Sequence, residues 1–94
     1  MIYHRQWFPF RADSIRDNVP PTSGVFLLYS HQECVYVGAH PDMRAELTRL
    51  LQDGGSPCLS EHPPDEFLFE VALGDDRLAR RDELMSEFNP LCKD

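Results

Sequence analysis

The chain of 94 residues carries a formal net charge of −7, and 41% of its residues are hydrophobic. Its length is typical of a single domain with one modest core, and its apolar content excludes an intrinsically disordered chain. Because nucleic-acid binding relies on Lys and Arg side chains that neutralise phosphates, an acidic chain with a single lysine favours a protein partner or a small ligand over DNA.

Residues 1–22 are predicted to form an N-terminal arm that packs on a core made of residues 23–94. Asp13 or Ser14 is expected to cap a short helix, which ends at Asn18 because two prolines follow and proline cannot continue a helix. The aromatic residues of the arm pack on the parent domain in the simpler interpretation and dock a partner in the alternative one. They are Tyr3, Trp7, Phe8 and Phe10.

Two β-rich runs follow the arm, from Gly24 to Ser30 and from Cys34 to Ala39, and a hairpin turn is expected between them. Both runs are apolar at nearly every position, which predicts a sheet that is covered on both faces. A helix is expected from Pro41 to Asp53, because apolar residues recur there at helical spacing and two glycines come next.

The rest of the chain is predicted to form a loop over residues 54–65, a strand over residues 66–73 and a last helix from Asp76 to Phe88. The loop is expected because its segment holds two glycines, three prolines and two serines. The order of the elements predicts a single α/β (α+β) domain with a three-stranded, mainly antiparallel sheet flanked by helices.

Three cysteines, Cys34, Cys58 and Cys92, are odd in number and widely spaced, which favours reduced thiols over a disulfide framework. A zinc site made of Cys58, Cys92, His62 and His40 is the alternative, although it lacks a close CxxC pair. No apolar run has the roughly 18–20 residues of a membrane span, and no apolar stretch follows the first basic residues as in a signal peptide. A cytoplasmic protein without membrane contact is therefore expected.

Two tripeptides about ten residues apart lie on the two strands of the predicted hairpin. They are Gly24-Val25-Phe26 and Tyr36-Val37-Gly38. Together they resemble the signature of the GIY-YIG nuclease superfamily, and the helix with Arg44 and the segment Phe88-Asn89-Pro90 resemble later parts of its pattern. The resemblance extends over residues 20–93 and implies the fold of a superfamily that cleaves DNA with a divalent cation.

The resemblance also assigns catalytic positions, and two of them carry the opposite charge here. Tyr36 occupies the position of a tyrosine that helps to activate the attacking water, whereas Phe26 has no hydroxyl for proton transfer. Glu46 lies ten residues after Tyr36, where the superfamily has an arginine that stabilises the phosphate. Arg81 lies nine residues before the closing proline, where a glutamate binds the metal, and Lys93 lies where an asparagine is usual.

These substitutions favour a catalytically degenerate nuclease fold that acts as a binding or accessory module without a cofactor. We expect a Glu46–Arg81 ion pair in place of the metal site, and truncation of either partner should cost about 1–3 kcal/mol if the pair is partly buried. The alternative is an active DNA endonuclease that needs Mg²⁺ or Mn²⁺ and uses displaced residues. Its candidate catalytic residues are Tyr36, His40, Arg44 and Glu83.

Overall fold

The computed structural model describes residues 7–93, which form a four-stranded antiparallel sheet with helices on both faces. The elements are β1 (Phe8–Pro9), α1 (Ala12–Asn18), β2 (Gly24–Ser30), β3 (Glu33–His40), α2 (Met43–Asp53), α3 (Pro57–Glu61), β4 (Glu66–Val71) and α4 (Asp76–Phe88). The strands lie in the order β1-β4-β2-β3. The expectation of three strands is therefore wrong by one, because the arm adds β1 to the edge of the sheet beside β4.

From Trp7 onward the N-terminal arm lies against the sheet. The ring of Trp7 contacts the ring of Tyr29 edge-on, with centroids 4.4 Å apart. Phe8 pairs with Phe67 of β4, and Phe10 is buried in the core. The remaining aromatic of the arm, Tyr3, lies outside the described residues.

The first helix ends where the sequence predicts, but the cap expected at Asp13 or Ser14 is wrong. Arg11 precedes the helix, and its side chain makes no capping hydrogen bond. Asp13 lies inside the first turn, where its carboxylate accepts a hydrogen bond from the N–H of Ser14 at 2.9 Å. A carboxylate in the first turn still stabilises the helix through the positive end of its dipole.

The hairpin between β2 and β3 forms as the sequence predicts, although its turn lacks an Asn-Gly pair. His31 and Gln32 have φ angles of 51° and 68°, and two positive φ angles are what a two-residue type I′ turn requires. The register shifts between Leu28 and Tyr29, so β3 carries one extra residue there, as in a β-bulge.

Helices cover both faces of the sheet, as the apolar strands predict. On one face, α1, α2 and α3 enclose a core cluster that includes Phe26 and Phe67. On the other face, α4 covers a second cluster that includes Leu27 and Leu84. Successive side chains of a strand point to opposite faces, so β2 contributes to both clusters.

The segment predicted as a loop, residues 54–65, contains the short helix α3, and this expectation is corrected. Ser56 caps the helix by accepting a hydrogen bond from the N–H of Leu59 at 3.4 Å. Pro57 occupies the first turn, where its missing N–H costs no hydrogen bond. Burial of Leu59 in the core then holds the helix in place. Within residues 7–93, no helix is long and apolar enough to span a bilayer.

Cys58 and Cys92 form a disulfide, so the expectation of three reduced thiols is wrong. The bond joins α3 to the segment that follows α4, which the fold brings together across 34 positions of sequence. Cys34 is free and buried, and burial raises the pKa of its thiol to about 11. The alternative zinc site is not assembled either, because no group of three or more potential ligands lies together within residues 7–93.

Candidate functional site

A cleft of about 400 Å³ opens between β3, at the edge of the sheet, and α4. The second signature tripeptide, Tyr36-Val37-Gly38, lines it. Arg81 and Lys93 also line it, and they stand where the superfamily pattern has a glutamate and an asparagine. The residues that line the cleft are Tyr36, Val37, Gly38, Ala39, Arg81, Asp82, Met85 and Lys93. Sequence-distant parts of the chain therefore meet at one site, as the resemblance predicts.

Tyr36 reaches this cleft from β3, where it lies opposite Leu28 of β2. Its ring also packs on the core, with its centroid 6.2 Å from that of Phe26. Phe26 itself is 1% exposed, so its ring serves the core. The ring of Tyr36 is thus partly buried against the core, while the residue also borders the cleft.

The two signature glycines lie where a side chain has no room. A Cβ atom on Gly38 would lie 2.6 Å from Cζ of Phe26 and 2.8 Å from Cε2 of Tyr36. A Cβ atom on Gly24 would collide with the carbonyl oxygen of Glu70 and with the side chain of Met43. The motif therefore reflects close packing on the sheet, since neither glycine adopts a positive φ angle.

Glu46 lies on α2 and takes no part in lining the cleft. Its carboxylate accepts two hydrogen bonds from Arg49, at 2.9 and 2.8 Å, and this interaction lowers the pKa of Glu46. Nε2 of His40 lies 3.8 Å from the same carboxylate. Sequence reasoning missed Arg49, although its position three residues after Glu46 is the spacing at which helical side chains pair.

The predicted Glu46–Arg81 ion pair is wrong, since Arg81 instead contacts Asp82, the next residue, at 3.1 Å. The partly buried bidentate pair of the structure is formed by the neighbouring Arg80 with Glu70, at 2.8 and 3.2 Å. Successive helix positions differ by about 100°. One residue along α4 therefore separates an arginine that binds β4 from one that lines the cleft.

The displaced catalytic set is not brought together, because only Tyr36 of its members lines the cleft. Nδ1 of His40 accepts a hydrogen bond from the N–H of Asp42 at 3.0 Å. Nε of Arg44 donates to the carbonyl oxygen of Val19 at 2.8 Å, which ties α2 to the end of α1. The fourth member, Glu83, contacts Arg80 at 3.4 Å.

Solved structures of a bacterial endonuclease domain share this arrangement of strands and helices. The GIY-YIG N-terminal endonuclease domain of UvrC from Thermotoga maritima, bound to magnesium, its catalytic divalent cation, aligns over 82% of this chain and 92% of that chain, with a TM-score of 0.66 and 18% identity. This chain has the GIY-YIG fold. Two point mutants of that domain, bound to its catalytic divalent cation, align over the same 82% of this chain and over 91% and 92% of their own, with TM-scores of 0.67 and identities of 18% and 17%.

No family model matches the sequence, and no curated protein matches it significantly. At 18% identity the likeness to the UvrC domain shows the GIY-YIG fold, so the side chains of the cleft have to carry any functional argument.

Those side chains do not fit the divalent cation that the GIY-YIG fold implies. Hard cations such as Mg²⁺ bind carboxylate and other oxygen ligands. Among residues 7–93 the cleft offers one carboxylate, that of Asp82, and Oδ1 of Asp82 already accepts hydrogen bonds from Arg81 at 3.1 and 3.2 Å. Lys93 adds a second positive charge. The donor set of this cleft is therefore suited to a negatively charged group and not to a metal ion.

Proposed function

We propose that this chain is a catalytically degenerate GIY-YIG domain that acts as a binding or accessory module. The observation that carries the proposal is the cationic side chain of Arg81 in the cleft, at the position where the resemblance places a metal-binding glutamate. Phosphodiester hydrolysis builds negative charge on phosphate oxygens, which a bound metal and a cationic clamp stabilise. A cleft without the metal ligand lacks the first of these stabilising groups.

The position of the phosphate clamp supports the same proposal. Glu46 replaces the expected arginine and brings negative charge where the substrate is negative. Arg49, one turn later on α2, is engaged by Glu46 and also by Asp53, at 2.9 Å. Both carboxylates would have to release Arg49 before it served a phosphate.

A protein partner is favoured over DNA by the charge of the whole chain, because a net charge of −7 repels the phosphates of DNA.

The proposal includes a cytoplasmic location. The Cys58–Cys92 disulfide counts against that location, because cytosolic thiols are mostly kept reduced.

The second candidate is an active endonuclease that depends on Mg²⁺ or Mn²⁺. It is favoured by the likeness to the magnesium-bound UvrC endonuclease domain and by the position of Tyr36 in the cleft. In this case a bound divalent metal would supply Lewis-acid stabilisation of the phosphate, and the hydroxyl of Tyr36 would hydrogen-bond to the attacking water and orient it.

A cleavage assay separates the two candidates. The purified protein is incubated with plasmid and with branched DNA in Mg²⁺ or Mn²⁺, beside a Tyr36→Phe variant as the matched control. We expect neither cleavage nor DNA binding at low salt from either protein. Cleavage by the wild type that is lost in the Tyr36→Phe variant overturns the proposal and identifies an active site rebuilt from other residues.

A further inference from the structure

The outer edge of β3 presents backbone groups that the sheet does not use. The carbonyl oxygen of Ser23 accepts a hydrogen bond from the N–H of Ala72 at 3.0 Å. This bond fixes the alternation along β2: every second residue counted from Ser23 bonds to β4, and the residues between them bond to β3. Backbone N–H and C=O groups point to opposite edges at successive residues of a strand. The β3 residues that bond to β2 are therefore Tyr36 and every second residue after it. The peptide groups of Val37 and Ala39 consequently point outward, into the cleft.

The first part of this edge already binds the segment that follows α4. The N–H of Leu91 donates to the carbonyl oxygen of Cys34 at 3.3 Å, and the N–H of Cys92 donates to that of Val35 at 2.8 Å. The pairing stops there: in the part of the chain that the structure describes, no backbone group bonds to the outward-facing groups of Val37 and Ala39. The edge is therefore closed up to Val35 and unpaired along the cleft, and this unpaired part is called the open edge of β3. Within it Ala39 is half-buried and Val37 is 3% exposed.

Charge and shape around the open edge restrict what it binds. Arg81 and Lys93 flank the cleft, and Met85 adds an apolar surface. The side chain of Arg81 is 38% exposed and holds its neighbour Asp82 only through an exposed contact, which a competing carboxylate replaces at little cost. With the carboxylate of Asp82 counted, the described side chains of the cleft still carry a net charge of +1, on a protein whose net charge is −7.

We propose that the cleft binds an extended, acidic segment of a partner protein, which adds as a strand to the open edge of β3. The segment exchanges backbone hydrogen bonds with Val37 and Ala39 and places its carboxylates at Arg81 and Lys93. Open strand edges are templates for such pairing. The inference rests on the proposed function, because it assigns the cleft to binding and not to hydrolysis.

Two other occupants are disfavoured by the same observations. A second copy of the chain, paired edge to edge through β3, would bring its Arg81 and Lys93 towards their equivalents, and like charges across an interface are repulsive. A nucleic acid has no amide backbone to match the outward N–H and C=O groups of Val37 and Ala39.

The proposal is tested by amide mapping on the full ¹⁵N-labelled chain. The probe is an acetylated and amidated peptide, Thr-Glu-Val-Glu-Val-Glu-Thr, and its control replaces each Glu with Lys. We expect the acidic peptide to shift the amide signals of Val37 and Ala39 most strongly and to slow their hydrogen exchange, while the basic peptide leaves them unchanged. Absence of these shifts, or equal shifts with both peptides, overturns the proposal.

The other occupants give different results in the same experiment. A single-stranded oligonucleotide that shifts these amides, where the acidic peptide does not, overturns the proposal in favour of nucleic acid. Protection of Val37 and Ala39 without any probe, together with a doubled mass that depends on concentration, overturns it in favour of self-association.

Two pairs of variants separate the backbone and charge contributions. Ala39→Pro removes an outward N–H that the sheet does not use and should abolish binding, whereas Ala39→Ser should preserve it. Arg81→Gln should weaken binding about two- to fivefold, whereas Arg77→Gln removes the same charge from α4 outside the cleft and should leave binding unchanged. If Ala39→Pro does not fold, the arginine pair still decides: equal effects of the two arginine variants contradict the proposal.

Failure of this inference is distinguishable from failure of the proposed function. DNA cleavage in the assay described above removes the proposed function, whatever the peptide does. No cleavage together with no peptide binding keeps a non-catalytic domain and removes only the acidic strand as its partner.

Discussion

Arg80 and Arg81 are neighbours on α4 whose side chains meet different surroundings. The side chain of Arg80 is 17% exposed and forms two hydrogen bonds with Glu70, which raise the pKa of Arg80. Arg81 is 38% exposed and contacts only the neighbouring Asp82 among the acidic residues described. The stabilising ion pair that was expected of Arg81 is therefore formed by Arg80, with Glu70 as its partner.

We expect Arg80→Ala to lower the free energy of unfolding by about 1–2 kcal/mol, because it leaves the carboxylate of Glu70 partly buried and unpaired. Arg81→Ala is the matched control and should change it by less than about 0.5 kcal/mol. Urea denaturation followed by circular dichroism measures both. A larger loss for Arg81→Ala than for Arg80→Ala would contradict the assignment of the pairs.

Gly38 gives a second test at this scale. We expect Gly38→Ala to destabilise the fold by about 1–3 kcal/mol, because its Cβ atom would overlap the ring of Phe26. Shortening Phe26 to leucine makes room, so the Gly38→Ala and Phe26→Leu substitutions should be less destabilising together than the sum of their separate effects. Additive effects in that double-mutant cycle would show that contact with the ring of Phe26 is not the reason for a glycine at position 38.

Glu46 predicts a dependence of stability on pH. The hydrogen bonds from Arg49 hold the pKa of Glu46 below its usual range in the folded state. A depressed pKa adds stability that is present above the unfolded value, about 4.3, and is lost as the pH falls through the folded value. Unfolding free energies measured between about pH 6 and pH 3 should therefore decrease less in Arg49→Gln than in the wild type. Arg77→Gln serves as the charge-matched control. If its pH profile equals that of Arg49→Gln, the role assigned to Glu46 is refuted.

At the scale of elements, the periodic segments were predictable, whereas the two shortest elements, β1 and α3, were not. Helix α4 has the predicted bounds, and α2 begins two residues later than predicted, because each combines an apolar stripe with a clear end signal. Strand β1 is only two residues long, so its pairing with β4 has no periodicity that a sequence reveals. Helix α3 depends on burying Leu59, which is a property of the assembled core.

The disulfide between α3 and the segment after α4 gives the prediction at this scale. Reduction, or the Cys58→Ala and Cys92→Ala double substitution, should lower the free energy of unfolding by about 2–4 kcal/mol, because it frees a loop of 34 residues in the unfolded chain. Denaturation with and without reductant measures the effect. Cys34→Ala is the control, since its thiol forms no disulfide, and reductant should still destabilise that variant. Equal stability of the wild type with and without reductant would show that the bond contributes nothing.

At the scale of the whole molecule, the chain combines the GIY-YIG fold with a negative net charge, which is unusual for an enzyme that acts on DNA. The net charge of −7 opposes approach to phosphates, whereas the cleft itself is lined by Arg81 and Lys93. Fold alone does not establish function. Under the binding proposal, the charges in the cleft and the open edge of β3 decide what this domain binds.

The sequence by itself determined the order of the main elements, the covered sheet and the GIY-YIG resemblance, because apolar periodicity, glycines and prolines act locally along the chain. Only the tertiary structure decided which charges meet. It pairs Glu46 with Arg49 and Arg80 with Glu70, and it joins Cys58 to Cys92. Such contacts depend on the rotation of each helix about its axis and on packing between distant segments. A shift of one residue turns a helical side chain by about 100°, which spacing along the sequence does not resolve.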